Sequence, residues 1–191
     1  MVKRNINRKQ NGFTLLELLI SMTVFSIVVI AFLGLFVSTF KEQKKSLNTI
    51  HLVNNGSYVM EYMTRALRMA KKDITGACVG TAKYNYDNPE NDTAAIQFLV
   101  FNKEANDFVC QKFYKDGNTL KARVGISGAG EAMLPADIIV DNLNFMIIGD
   151  GQGDEVQPRV TLVLQIKTTG ANSQTMSLQT TVSQRELDVN Y

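Results

Sequence analysis

The chain has 191 residues, 45% of them apolar, and a formal net charge of +2, a length that bounds it to one or two domains. The first twelve residues hold four of the 20 Lys and Arg and none of the 18 Asp and Glu, so the remainder carries 16 minus 18, or −2. A near-neutral body lacks the basic face that broad nucleic-acid binding requires, and nucleic acid is not expected as a partner.

The chain opens on a basic leader with Lys3, Arg4, Arg8 and Lys9. Asn11-Gly12-Phe13-Thr14-Leu15-Leu16-Glu17-Leu18-Leu19-Ile20-Ser21 follows, and no charge occurs over the 23 residues from Leu18 to Phe40. A helix of that length spans about 34 Å, enough for a hydrocarbon core of about 30 Å. Basic residues lie on its N-terminal side and recur at Lys41, Lys44 and Lys45. The positive-inside bias favours a cytoplasmic N-terminus, with the second cluster working against it. A secretory signal is the competing reading, but its apolar core is shorter, and Val37-Ser38-Thr39-Phe40-Lys41 lacks the small-x-small cleavage pattern. The helix is therefore expected to stay as a single-pass membrane anchor. Glu17 stands out, because a carboxylate drawn into lipid costs on the order of a few kcal/mol unless it is paired or protonated. Snorkelling to the interface would suit a lone acid but leaves the Gly-Phe-Thr-Leu-Leu-Glu order unexplained.

Gly12-Phe13-Thr14-Leu15-Leu16-Glu17 resembles the prepilin cleavage motif of type IV pilins and pseudopilins. The resemblance implies that a prepilin peptidase/methyltransferase cuts between Gly12 and Phe13 on the cytoplasmic side and N-methylates Phe13. It also implies that Glu17, the fifth mature residue, meets the terminal amine of a neighbouring subunit. Opposite charges in a low-dielectric helix bundle compensate each other's desolvation and fix the axial register. Many such pilins carry proline at the twenty-second mature position, where this chain has Gly34. Glycine weakens a helix by about 1 kcal/mol but keeps its N–H donor, so a kink there is not demanded.

Beyond Lys41, apolar or small residues recur at Leu52, Gly56, Val59, Met63, Leu67, Ala70 and Ile74 in steps of three and four, the stripe of an amphipathic helix. The pattern predicts one helix from about Phe13 to Lys72, about 90 Å long, ended by Asp73 and Gly76. His51, the single histidine, reads as a surface or packing residue. Residues 75 to 93 form a polar, turn-rich connection without recognisable metal-ligand spacing.

Strands follow. Ala95–Asn102 is rich in β-formers, and Phe108 to Lys115 and Leu120 to Gly125 flank the hairpin signal Asp116-Gly117-Asn118. Ile138–Ile148 is a further apolar run. Val160, Leu162, Leu164 and Ile166, then Met176, Leu178, Thr180 and Val182, alternate with mainly polar neighbours, as in sheets with one covered face. The expected fold is α+β: a long N-terminal helix, half transmembrane and half amphipathic, packed on antiparallel strands. The expected divisions are 1–12 as a cleaved leader, 13–40 as membrane and filament-core helix, 41–74 as its amphipathic continuation, and 75–191 as an extracytoplasmic β domain.

Both cysteines, Cys78 and Cys110, lie beyond the apolar run. Outside the cytoplasm they can pair, closing a loop worth about 3–4 kcal/mol on the chain-entropy estimate. Two buried free thiols are the alternative. The loop Gly149-Asp150-Gly151-Gln152-Gly153-Asp154-Glu155 offers Asp150, Asp154 and Glu155 as weak calcium candidates. It lacks the ligand order of an EF-hand, so a solvated hairpin loop is preferred.

Met60-Glu61-Tyr62-Met63-Thr64-Arg65-Ala66-Leu67-Arg68, Val140-Asp141-Asn142-Leu143-Asn144-Phe145, Pro158-Arg159-Val160-Thr161-Leu162 and Leu178-Gln179-Thr180-Thr181-Val182-Ser183 look similar to the larger minor pilins. These are the J-type pseudopilin of type II secretion and the W-type minor pilin of pili. The resemblance implies a structural subunit that starts or caps a pilus or pseudopilus, with its N-terminus in the cytoplasm and its body periplasmic or extracellular. The implied partners are other minor pilins or pseudopilins, a major pilin, inner-membrane lipid and an inner-membrane assembly platform. No catalytic constellation or phosphate loop is present in the sequence, and neither enzyme activity nor a cofactor is expected. The alternatives are a tip adhesin or DNA-uptake component, for which Lys83, Tyr84 and Tyr86 are the one small basic-aromatic cluster, and an unprocessed membrane protein.

Overall fold

The computed structural model describes residues 12–103, 105–151, 156–170 and 173–185. Two compact units divide between Lys44 and Lys45. A single helix, α1, runs without interruption from Leu15 to Arg68, through Gly34. In the first unit every helical side chain from Leu15 to Lys44 is exposed. In the second, Leu52, Gly56, Val59, Met60, Met63 and Leu67 are buried, one face at helical spacing.

Among its described residues the second unit contains eight strands: β1 (Tyr86–Asp87), β2 (Ala95–Asn102), β3 (Asp107–Asp116), β4 (Thr119–Val124), β5 (Glu131–Ala132), β6 (Ile138–Ile148), β7 (Arg159–Thr168) and β8 (Thr175–Ser183). They form a five-stranded sheet ordered β1-β2-β3-β4-β5 and a three-stranded sheet ordered β6-β7-β8. Every pairing is antiparallel. Gly117, at φ +58°, supplies the left-handed turn residue between β3 and β4.

The buried face of α1 meets a core made from both sheets, including Phe98, Phe113, Phe145, Leu162, Leu164 and Ile166. The fold class is therefore α+β, a long N-terminal helix packed on antiparallel sheets. Gly56 faces the three-stranded sheet at close range. A Cβ there would stand 2.8 Å from both Leu178 Cδ1 and Met176 Cε, and 3.0 Å from Ile166 Cδ1. A side chain much longer than a methyl group at position 56 would hold the helix off the sheet.

The helix ends at Arg68, short of the Lys72 that the apolar stripe predicts. Ala70 is buried without being helical and Ile74 is 74% exposed, so the last two stripe positions are not on a helix face. Lys71 instead forms a β-bridge with Leu99, and Asp73 one with Tyr84.

Candidate functional site

The N-terminal motif sits at the start of α1. Gly12, Phe13 and Thr14 precede the helix in non-helical conformation, and Phe13 is 79% exposed. Thr14 Oγ1 accepts a hydrogen bond from Glu17 N at 3.3 Å. Thr14 is thus the N-cap and Glu17 the third helical residue, the spacing of a capping box. The sequence carries that signature in Thr14-x-x-Glu17, although the charge of Glu17 draws attention first. Glu17 is exposed at the helix start, where an acid also complements the helix dipole.

The following turns suit an apolar surrounding. Thr23 Oγ1 donates to Ile20 O at 2.8 Å, Ser26 Oγ to Met22 O at 2.8 Å, and Thr39 Oγ1 to Leu35 O at 2.9 Å. Ser21 Oγ donates to Glu17 O. These hydroxyls return to the helix's own carbonyls and need no water, which is the condition for polar side chains in lipid. Among the described residues α1 is the one helix long and apolar enough to cross a membrane, and none of its most apolar window is buried in this chain. It fits a single-pass anchor.

A second constellation lies at the other end of the helix. Asp73 is 3% exposed. Its Oδ1 accepts from Thr75 N (3.1 Å), Thr75 Oγ1 (3.0 Å) and Gly76 N (2.9 Å), and its Oδ2 from Cys78 N (2.6 Å) and Val79 N (3.1 Å). Burial alone would raise this carboxyl. The donors from Cys78 and Val79, joined by Thr75 and Gly76, outweigh it and hold the pKa below the ordinary carboxylate value. The turn so fixed presents Cys78, which is bonded to Cys110 of β3 with a Cα–Cα distance of 5.4 Å. Cys78, Val79 and Cys110 form a small buried cluster with Tyr84 and Leu99, apart from the main core.

The last carbonyls of α1, and that of Ala70 just beyond it, are met by distant parts of the chain. Tyr86 Oη donates to Leu67 O at 2.7 Å, Arg185 N to Arg68 O at 3.0 Å, and Gln184 Nε2 to Ala70 O at 2.8 Å. No glycine cap is used; β1 and the segment after β8 close the helix end. Tyr86 is fully buried and its phenol is pushed up by desolvation. Lys83, Tyr84 and Tyr86 therefore do not form a surface patch, which removes the cluster on which the DNA-uptake alternative would rest. His51 Nε2 lies 3.1 Å from Asp137 Oδ2, with both side chains substantially exposed.

Of the calcium candidates, Asp150 lies half-buried after β6, whereas Asp154 and Glu155 fall outside the described residues. Among the described residues there is no group of three or more His, Cys, Asp and Glu placed to hold a metal. Sequence reasoning missed Asp73 as a buried hub, and also Gln184 and Arg185 as closers of the helix. The cue at Asp73 is local, since Asp-x-Thr-Gly ahead of a cysteine places an acid before a run of turn amides. Position 184 gives no local cue, because its partner lies 114 residues away.

No curated protein and no solved structure matches the chain. Residues 7–33 match the family model described as the prokaryotic N-terminal methylation motif, so the N-terminal end of this chain is type IV pilin-like.

Proposed function

We propose that this protein is a minor pilin or pseudopilin, a structural subunit and not an enzyme, which takes part in starting or capping a pilus or a type II secretion pseudopilus. The observation that carries the reading is the methylation motif running directly into an uncharged, self-satisfied helix. In this reading residues 1–12 are removed by prepilin peptidase, and Phe13 becomes the N-methylated terminus. Residues 13–40 hold the protein in the inner membrane, with the N-terminus cytoplasmic, until they move into a helical filament core. Residues 41–74 continue toward a periplasmic or extracellular body. Other minor pilins or pseudopilins, a major pilin and an inner-membrane assembly platform are the partners. Glu17 meets the new terminal amine of a neighbouring subunit, a charge pair whose value lies in setting the register.

Glu17→Ala tests this in the host. The variant is expected to be cleaved and inserted as the native chain is, but to be lost from sheared filaments or from the complex of co-isolated subunits. Native recovery of Glu17→Ala in assembled filaments would falsify the pairing.

A further inference from the structure

Two small sheets have four outer edges, and in this protein three are closed. The five-stranded sheet ends on β1 and β5, strands of two residues each, too short to template another strand. On the three-stranded sheet, β6 is interrupted by a bulge between Val140 and Asn142. Two of its outer amides are also occupied: Val140 N donates to Asn118 O at 2.9 Å and Phe145 N to Thr93 O at 2.7 Å.

β8 differs in every respect. It has nine residues, about 30 Å of strand. Its register with β7 is continuous from Thr175 to Ser183, without a bulge. Thr175-Met176-Ser177-Leu178-Gln179-Thr180-Thr181-Val182-Ser183 contains no charge and no proline, the usual guards of an exposed edge. Among the described residues no strand pairs with its outer side.

The direction of the free groups follows from the ladder. Thr168 N donates to Gln174 O at 3.0 Å, and Gln184 N to Pro158 O at 3.2 Å. Both pairs continue the β7–β8 register. Even-numbered residues of β8 therefore exchange hydrogen bonds with β7, and odd-numbered ones turn away from it. Thr175, Ser177, Gln179, Thr181 and Ser183 aim their N–H and C=O groups outward, on residues whose side chains are all exposed. On the helix-bearing face Met176 and Leu178 are half-buried beside Gly56. An apolar side chain on a strand added next to β8 would complete their cover.

We infer that the outer edge of β8 accepts an extended, uncharged strand from a different membrane-anchored subunit of the same assembly, with apolar residues at the positions beside Met176 and Leu178. Along Ser177, Gln179 and Thr181 a charged strand would find no counter-charge; the cations nearby are at the ends of the row, Arg159 opposite Ser183 and Lys167, already held by Asp141, opposite Thr175. Head-to-tail pairing between copies of this chain lacks a second long open edge among the described residues. Self-pairing of two β8 strands about a two-fold axis would run the two copies of residues 45–68, which pack on the same core as the strands, in opposite directions, and the cross-links below read it as a separate outcome. One accepting edge and, among the described residues, no donating edge suits a subunit that receives a neighbour once and does not repeat. The inference rests on the proposed filament role for the identity of the neighbour, and on the ladder alone for the edge.

The test places a photo-reactive phenylalanine at positions 177, 179 and 181 of the full chain in its host, with position 121 of β4 as the control. Cross-linked residues are located by mass spectrometry, and the N-terminal mass is read from the same preparation. The expected result is that all three positions mark one segment of one other protein in two-residue steps, and that position 121 does not. Gln179→Pro, which removes an outward N–H and no hydrogen bond to β7, and the charged pair Gln179→Lys with Thr181→Lys should each cut that yield at least about tenfold. Disulfide formation and protease resistance should be unchanged. Cross-links to a second copy of this chain, to scattered sites or to nothing overturn the proposal, as does full yield in the lysine variant. An intact Met1 together with the two-residue ladder overturns the filament role and keeps the edge; a Phe13 terminus without the ladder does the reverse.

Discussion

At Asp73 burial and hydrogen bonding act in opposite directions on one carboxyl group, and hydrogen bonding prevails. A group whose folded pKa is depressed adds stability above its unfolded value, about 3.9, and that stability is lost as pH falls through the folded value. The contribution of Asp73 should therefore be complete at pH 6, begin to fade near pH 5 and disappear in stronger acid. Asp73→Asn turns an amide donor toward the Cys78 or Thr75 donors and should cost about 2–4 kcal/mol. Urea midpoints at pH 7 and pH 3 test both statements, since the gap between native and variant should narrow at the lower pH. Glu17 poses the other question at this scale. The capping geometry with Thr14 and the assembly charge make different demands. Glu17→Gln keeps a capping-box side chain and loses the charge. If the charge governs assembly, Gln fails as Ala does in filament recovery; if capping suffices, Gln behaves as native.

Among the elements, α1 was the most legible in the sequence and also the most overextended by it. The three-and-four stripe located Leu52, Gly56, Val59, Met63 and Leu67, all buried. It also ran on to Ala70 and Ile74, because periodicity cannot register carbonyls being claimed by Tyr86, Gln184 and Arg185. Tyr86→Phe removes one of those donors and should cost about 1 kcal/mol in denaturant unfolding. β7 and β8 were plain from their alternation. β6 was visible as a run, but its apolar residues step from Val140 to Leu143 and break the period of two. The bulge at Asp141 restores the phase, so Leu143 and Phe145 point inward again, and Lys167 Nζ holds the bulged Asp141 Oδ1 at 2.6 Å. In the apolar stripe Gly56 counts as one more position, whereas in the fold it leaves room for the ends of Met176, Leu178 and Ile166. Gly56→Ala should be close to neutral, the gain of about 1 kcal/mol in helix propensity offsetting pressure on the movable ends of Met176 and Leu178. Gly56→Leu should destabilise by about 1–3 kcal/mol in the same unfolding assay.

In the molecule as a whole, two solvents are written into one chain. The unit up to Lys44 buries nothing of its own apolar window, and the unit from Lys45 buries a core drawn from the helix and both sheets. The switch from an uncharged run to an amphipathic stripe made that division readable from sequence. The two-sheet arrangement was not readable, because it depends on contacts such as Phe145 N to Thr93 O that join distant strands. The Cys78–Cys110 bond ties the connection after α1 to β3. Replacing both cysteines by serine should lower unfolding stability by about 3–4 kcal/mol; an unchanged denaturation midpoint would show that the Asp73 turn holds this connection unaided. The central claim, that the N-terminal motif is a processing site leading into a retained anchor, is tested most directly by the N-terminal mass of the protein purified from host membranes. The account predicts a chain that starts at Phe13 and carries one added methyl group on its amine. A chain that still starts at Met1, in membranes where the peptidase is active, would contradict it.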